Sequence, residues 1–490
     1  MATKEIEASH VNDMVQEVVY KPTTIDCEGP LKSKKGSSTF LYFIICIVNL
    51  IGFSCGSSIS WTSPVIPKLE GFMGAEHNPL GKPITKLEGS LIAGILSLGC
   101  AIGPFISGPL AGKYGRKITL LCIAAIVGIS FITLAFATNV YVYYVARFLK
   151  GLGVGSTYQI IPIYSGEVAE NTNRGRVGCL FVANISAGLL SSYLVGPYLS
   201  VRLFCIFHTT PIVIFLIFYK FIPESPIYLA SKGDKVEAKA SLMRLRRYSA
   251  SGVKDELIDI FLACAESNSN KGGFKEIFRY PPLQKAFLIC LLLLTLQQFT
   301  GIAFVVGFLQ TICDVAGGSV SPSISAIIIG VLKTFASLFT STVIDKFGRK
   351  LLAMISALAT GIFITILGIF FFLLQNKYDV SNITWLPIVT LISYIISFNL
   401  GMAPVPFVIV GEIFPSHVKS AASTVLISIK FLTSFIITFL CPVLSSLLGM
   451  APTFCMFGVF CVIGTVLIYF IVPETKGKSL AEIQDILKHR

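Results

Sequence analysis

The chain has 490 residues, 54% of them hydrophobic and 13% charged, and a mean hydropathy of +0.77. Soluble chains carry about 25% charged residues, so this composition excludes an ordinary soluble domain. The net charge of +13 does not argue for nucleic acid, because the Lys and Arg residues stand beside apolar blocks, where the cytosolic bias of membrane proteins puts them.

Residues 1–39 are polar and mixed in charge, with Lys32, Lys34 and Lys35 close to the first apolar run. They are expected to be a cytosolic tail ahead of an uncleaved first helix. Twelve apolar blocks follow, each near the roughly 20 residues that a helix needs to cross the hydrocarbon core. Lipid offers backbone groups no other partner, so each block must be helical. The predicted spans are 40–62, 90–111, 118–137, 140–161, 177–199, 203–222, 284–312, 323–344, 350–374, 384–409, 420–441 and 451–472. They group as a six-helix bundle over 40–222 and a second over 284–472. A basic cytosolic helical linker, 223–283, joins them, and 473–490 forms a cytosolic tail. One set of connections and tails holds 28 Lys and Arg, the opposite set 5, which puts both termini in the cytosol. Asn382-Ile-Thr384 is then an outward-facing glycosylation sequon. The thirteen Cys lie mostly in apolar blocks without a CxxC and read as small core residues.

The two bundles repeat each other. Lys113-Tyr-Gly-Arg-Lys117 recurs as Lys346-Phe-Gly-Arg-Lys350, Glu167-Val followed by Arg174 as Glu412-Ile followed by Lys419, and Pro223-Glu-Ser225 as Pro473-Glu-Thr475. Three pairs in the same order at nearly constant spacing imply two like-oriented halves, an architecture of carriers with the site between the halves near mid-membrane.

Arg116, Glu167, Arg174, Asp345, Arg349 and Glu412 fall at cytosolic helix ends. They fit topology signals, and they fit a latch in which Arg pairs with Glu on a neighbouring helix. An exposed pair contributes only about 0–1 kcal/mol, which suits a gate that opens every cycle between states of similar energy. Gly151, Gly153 and Gly155 lie inside an apolar helix, where close packing is a better use than phosphate binding. Gln297 and Gln298 are adjacent amides deep in the seventh span. They suit a hydroxyl-rich ligand or a bond between helices. Lys333 and Lys430 lie near the middle of their spans, with no Asp or Glu deep in any span to pair with. A mid-membrane Lys costs about 2.5–3.5 kcal/mol, so the two either face water or attract an anion.

Several motifs together resemble the sugar porter family of the major facilitator superfamily, over nearly the whole chain. They are Arg147-Phe148 with the three glycines; Pro162, Tyr164, Glu167 and Arg174-Gly175; Pro223-Glu-Ser-Pro226; Gln297-Gln298 with Gly301-Ile302; Asp345 to Lys350; Gly411-Glu-Ile-Phe-Pro415; and Pro473-Glu-Thr-Lys-Gly477. Trp61-Thr-Ser-Pro64 with Pro67-Lys-Leu69 further resembles the trehalose and glucose facilitators of invertebrates.

The resemblance implies an all-α membrane protein with twelve transmembrane helices in two parallel six-helix halves, the major facilitator fold. It implies a facilitative sugar (hexose or trehalose) uniporter working by alternating access in the plasma membrane. No cofactor, metal, nucleic acid or enzyme chemistry is expected; the partners are a small sugar and the bilayer, and the oligomeric state is left open. The resemblance gives gate roles to the cytosolic Arg and acidic residues, where Gly112 replaces an expected acid, and sugar contact to Gln297 and Gln298. By register, Asn399 stands for an acid on the tenth helix, Phe407 for a tryptophan, Val182 for an amide, and Lys333 and Lys430 for asparagines. Proton-coupled members carry Asp where this chain has Ser54, so facilitated diffusion is expected. An organic-anion or acidic-sugar carrier on the same fold, and a non-transporting sugar sensor, are the alternatives.

Overall fold

The computed structural model describes residues 39–71, 78–170, 173–246, 253–269, 274–318, 320–478 and 480–489; the expected tail over 1–38 lies outside them. Twelve spanning segments follow in order. The first is Thr39–Ser60 continued by Thr62–Leu69, then come Lys86–Tyr114, Arg116–Ala135, Val140–Val168, Arg174–Val195 and Val201–Phe218. The seventh is built from Pro281–Phe299, Ile302–Gly307 and Leu309–Ala316. Pro322–Phe347, Arg349–Gln375, the pair Leu386–Leu400 and Val405–Ile413, Ser416–Leu447 and Met450–Ile471 complete the set. Eleven of the twelve are long and apolar enough by composition to cross a bilayer. The fourth, Val140–Val168, is not among them; it carries Arg147, Lys150 and a Gly155-Ser-Thr157 run.

Several helices overrun their predicted spans. The second covers Lys86–Tyr114 instead of 90–111, and the eleventh Ser416–Leu447 instead of 420–441. Hydropathy sees only the hydrocarbon core, whereas a helix continues until its end groups find other partners. At the second span this end is a capping box: the Glu88 N–H donates to Thr85 Oγ1 (3.2 Å) and the Thr85 N–H to Glu88 Oε2 (2.8 Å).

The second and fourth spans lie close enough that Gly151 and Gly155 have no room for a Cβ: it would run into the carbonyls of Leu96 and Cys100. Small residues that let backbones approach are the usual means of helix association in lipid. The two halves meet where the fifth span packs on the eighth and the second on the eleventh. Helices Pro226–Ser231, Lys235–Arg246 and Lys254–Ser269 pack on the N-terminal half, where Arg246 Nη1 donates to Val168 O (2.8 Å). Leu480–His489 packs on the C-terminal half, where Gln484 Nε2 donates to Ile413 O (2.9 Å).

Candidate functional site

The seventh and tenth spans break at matching places. Gly301, at φ +85° between two helical pieces, adopts a left-handed conformation that disfavours L side chains, and a Cβ there would enter the Phe457 ring. In the tenth span the helix stops at Leu400 and resumes at Val405. A break inside lipid frees backbone groups that must find partners. Gln297 Nε2 supplies them, donating to Met402 O (2.8 Å) and Ala403 O (2.9 Å). Gln298 Nε2 donates to Gln297 Oε1 (3.2 Å). The Met402 N–H donates to Ser356 Oγ (2.8 Å), and Tyr394 OH donates to Thr300 O (3.0 Å), tying the two breaks together. The predicted amide pair thus lies at the junction of two interrupted helices, with Gln297 bonded across it. Asn399, just before the second break, is buried and donates through Nδ2 to Ile395 O of its own helix (2.7 Å).

Beside the break stands Lys430. Its ammonium lies 4.8 Å from the ring centroid of Phe407, 4.7 Å from Phe431 and 5.1 Å from Tyr158. Tyr158 belongs to the N-terminal half, and its ring meets Phe431 (5.4 Å) and Phe181 (5.7 Å) edge to face. An aromatic chain therefore runs from one half to the other around the lysine. Lys333 is half-buried near the middle of the eighth span, next to Thr334, which donates to Ser186 O across the halves (3.3 Å).

The sequence reading passed over Gln159 and Lys150, and named Arg147 only as part of a motif, without a role. Gln159 accepts from Ser107 Oγ (2.8 Å) and donates to Thr424 Oγ1 of the other half (2.7 Å). Arg147, 1% exposed, donates to Ile92 O and Ser58 O (3.1 and 2.7 Å) and lies over the Trp61 ring. Lys150 is wholly buried, 3.1 Å from the Phe131 centroid, with no hydrogen-bond partner. Lys150 could have been flagged as Lys333 and Lys430 were, as a charge inside an apolar helix; the partner of Gln159 is 265 residues away and leaves no local trace.

At the ends of the spans next to the helices over 226–269 the repeated motifs converge. Arg116 holds Glu167 through Nε–Oε2 (2.9 Å) and Nη2–Oε1 (2.8 Å), while Glu224 accepts the Arg116 and Lys117 N–H groups at the start of the third span. The second half repeats this. Arg349 Nη2 meets Glu412 Oε1 (2.9 Å), Glu474 accepts the Arg349 and Lys350 N–H groups, and Thr475 Oγ1 donates to Glu412 Oε2 (2.6 Å). A carboxylate at a helix N-terminus is favoured by the helix dipole. Burial pushes the Glu224 carboxyl up, against the pull of its N–H donors. Burial also acts on Glu474, but donors from Lys476, Arg349, Lys350 and Thr475 outweigh it and hold the carboxyl below its usual range. Each Arg–Glu pair lies within one half, so neither reaches across to the other. The side chains of Arg174 and Asp345 lie outside the described residues.

Away from those clusters, nearer the opposite ends of the spans, the halves are bonded directly. Thr62 Oγ1 donates to Gly307 O (2.8 Å), the Gln310 N–H to Ser63 Oγ (3.1 Å), and Tyr193 OH to Val306 O (2.9 Å). Ser97 and Ser434 share a bond of 3.3 Å. The Trp61-Thr-Ser run thus does two things: Trp61 covers Arg147, and Thr62 and Ser63 join the halves. Nearer the Arg–Glu clusters, Val182 of the fifth span is 48% exposed, and a Cβ on nearby Gly178 would meet nothing within 4 Å. Asn382 is exposed in a short turn, Ser381–Ile383, before the tenth span.

A family model described as "Sugar (and other) transporter" matches residues 32–487. The facilitated trehalose transporter Tret1 of Bombyx mori is 33% identical over 437 residues, 89% of this chain and 83% of that one. The facilitated trehalose transporter Tret1-2 homolog of Drosophila simulans is 31% identical over 465 residues, 94% of each. Among solved structures, the xylose transporter XylE from E. coli in a partially occluded inward open conformation is similar with a TM-score of 0.75 and 22% identity. That match covers 90% of this chain and all of the other.

Proposed function

Because the chain belongs to the sugar transporter family, the fold being the twelve-helix major facilitator fold, we propose that it is a facilitative sugar carrier working by alternating access. The observation that carries this reading is the pair of interrupted helices. Non-helical backbone at membrane depth is tolerated where it is buried in protein or lines a cavity, and here the breaks of the seventh and tenth spans are bonded together beside an aromatic chain joining the halves. Amides, hydroxyls and ring faces are the groups that a polyhydroxy solute binds. The names of the relatives, facilitated trehalose transporters, support a sugar as cargo.

The bundles over 40–222 and 284–472 are the two rocking bodies. The bonds of Thr62 and Tyr193 join the bundles near the outer ends of the spans and Gln159–Thr424 joins them nearer the cytosolic ends, with the Arg–Glu clusters bracing each bundle. Acidic residues in the spanning helices stand within three residues of a helix end: Glu88, Glu167, Asp314, Asp345 and Glu412. No carboxylate is left at mid-membrane to take and release a proton, which supports diffusion down a gradient. The positive side of the chain supports cytosolic termini, and the plasma membrane is the proposed location.

The test is uptake of labelled glucose and trehalose into vesicles holding the purified protein. Saturable countertransport, indifferent to an imposed pH gradient, is expected. Accumulation driven by that gradient would overturn the facilitative reading, and binding without flux would make the protein a sensor.

A further inference from the structure

We propose that the solute carried is acidic: a sugar-sized polyhydroxy compound bearing a carboxylate, held by the ammonium groups of Lys430 and Lys333. This rests on the reading of the protein as a sugar carrier and specifies its cargo.

The charge inside the membrane is one-sided. The acidic residues of the spanning helices stand at helix ends, while Arg147, Lys150, Lys333 and Lys430 lie in helix interiors. Ionisable groups at that depth pair with one another, meet backbone carbonyls or face a wet cavity. Arg147 is satisfied by two carbonyls and an indole, and Lys150 is sealed against Phe131. Both are enclosed within the N-terminal half. Lys333 and Lys430 differ in place and in surroundings. They lie near the midpoints of a 26-residue and a 32-residue helix, and these are the two helices of the C-terminal half that pack on the fifth and second spans of the other half.

Neither ammonium has an ion pair or a hydrogen bond among the described residues, and Lys333 is half-buried. The rings of Phe407, Phe431 and Tyr158 face the Lys430 ammonium. Ring faces favour a cation but accept none of its N–H bonds in the way an oxygen does. Three donors that are held in place and still lack an oxygen acceptor are what a carboxylate completes.

Phe407 stands on the short helix that begins after the tenth-span break. The same ring therefore links the lysine to the backbone held by Gln297. The site offers a fixed positive charge at one edge and, at the helix break that Phe407 adjoins, the amides of Gln297 and Gln298. A neutral sugar would use the polar groups and leave the charge unanswered.

The experiment compares matched pairs, D-glucose with D-glucuronate and D-gluconate, for uptake and countertransport in vesicles holding the full chain. A charge-assisted bond in a desolvated site is worth about tenfold or more in affinity. The half-saturating concentration of the acid is therefore expected to be at least about tenfold below that of glucose. Lys430→Asn should remove that ratio, Lys333→Asn should reduce it, and Lys430→Arg should keep it, which separates loss of charge from loss of fold. Saturable flux of glucose with no preference for either acid overturns the proposal and leaves sugar transport standing. An acid preference that survives the double change to Asn also overturns it. Absence of countertransport for every member of the panel overturns both readings.

Discussion

Lys150 and Gln297 are both buried polar side chains deep in spanning helices, yet the structure gives them opposite energetic standing. Gln297 satisfies two freed carbonyls, whereas the Lys150 ammonium meets only ring faces. Leaving a buried polar group without a partner costs about 1–3 kcal/mol. Gln297→Leu is therefore expected to lower the unfolding temperature in detergent and to abolish flux, because Met402 and Ala403 lose their donor at the site itself. Lys150→Met is expected to do the reverse. Removing a buried polar group that lacks a partner recovers its desolvation cost of about 1–3 kcal/mol, so the unfolding temperature should hold or rise. A fall of several degrees would mean that Lys150 has a partner in another state of the cycle. The sequence marked Gln297, Gln298, Lys333 and Lys430 by residue type alone, since polar atoms in an apolar run stand out. It did not mark what they touch: the Gln297 acceptors are 105 and 106 residues away, and the aromatic ring around Lys430 is drawn from three helices.

At the scale of elements, hydropathy predicted where helices lie but not where they stop. The span over 284–312 reads as one apolar block, yet the chain turns at Gly301 and again at Phe308. A left-handed glycine is as apolar as its neighbours, so composition is blind to it. Gly301→Ala should cost about 1–2 kcal/mol for the left-handed backbone and more for the collision with Phe457. Adding Phe457→Ala should recover only the steric part, visible as a partial return of the unfolding temperature. The cytosolic clusters show the repeat at work: three separate motif pairs become one arrangement, twice. Because each Arg–Glu pair joins helices of one half, it braces that half's own cytosolic end. A double-mutant cycle on Arg116 and Glu167 should give a coupling of about 1 kcal/mol, near the upper limit for exposed pairs because the contact is bidentate and partly buried. The matching cycle on Arg349 and Glu412 should give a similar value, and a cycle between Arg116 and Glu412 should give none.

For the molecule as a whole, the two like-oriented bundles were legible because lipid permits few alternatives and the motifs repeat in the same order. Which residues join the halves was not legible, since the bonds run from side-chain hydroxyls to backbone carbonyls, from a backbone N–H to a hydroxyl, and between hydroxyls of opposite halves. Those bonds are weak and few, as a seal that must part in every cycle requires: an ordinary hydrogen bond contributes about 0.5–1.5 kcal/mol net, and the two states of a working carrier differ by only a few kcal/mol. Ser97 and Ser434 face each other between the halves with oxygens 3.3 Å apart, so two cysteine sulfurs at these positions need approach by only about 1.3 Å to reach a disulfide's bond length of about 2.05 Å. Ser97→Cys with Ser434→Cys should therefore form a bond on mild oxidation that holds the second and eleventh spans together and arrests countertransport, with each single change remaining active. Reduction should restore flux to the level of the unoxidised pair. If the cross-linked protein still exchanged its substrate at the original rate, these two helices would not separate during transport, and the opening would have to form along the first–seventh or fifth–eighth contacts.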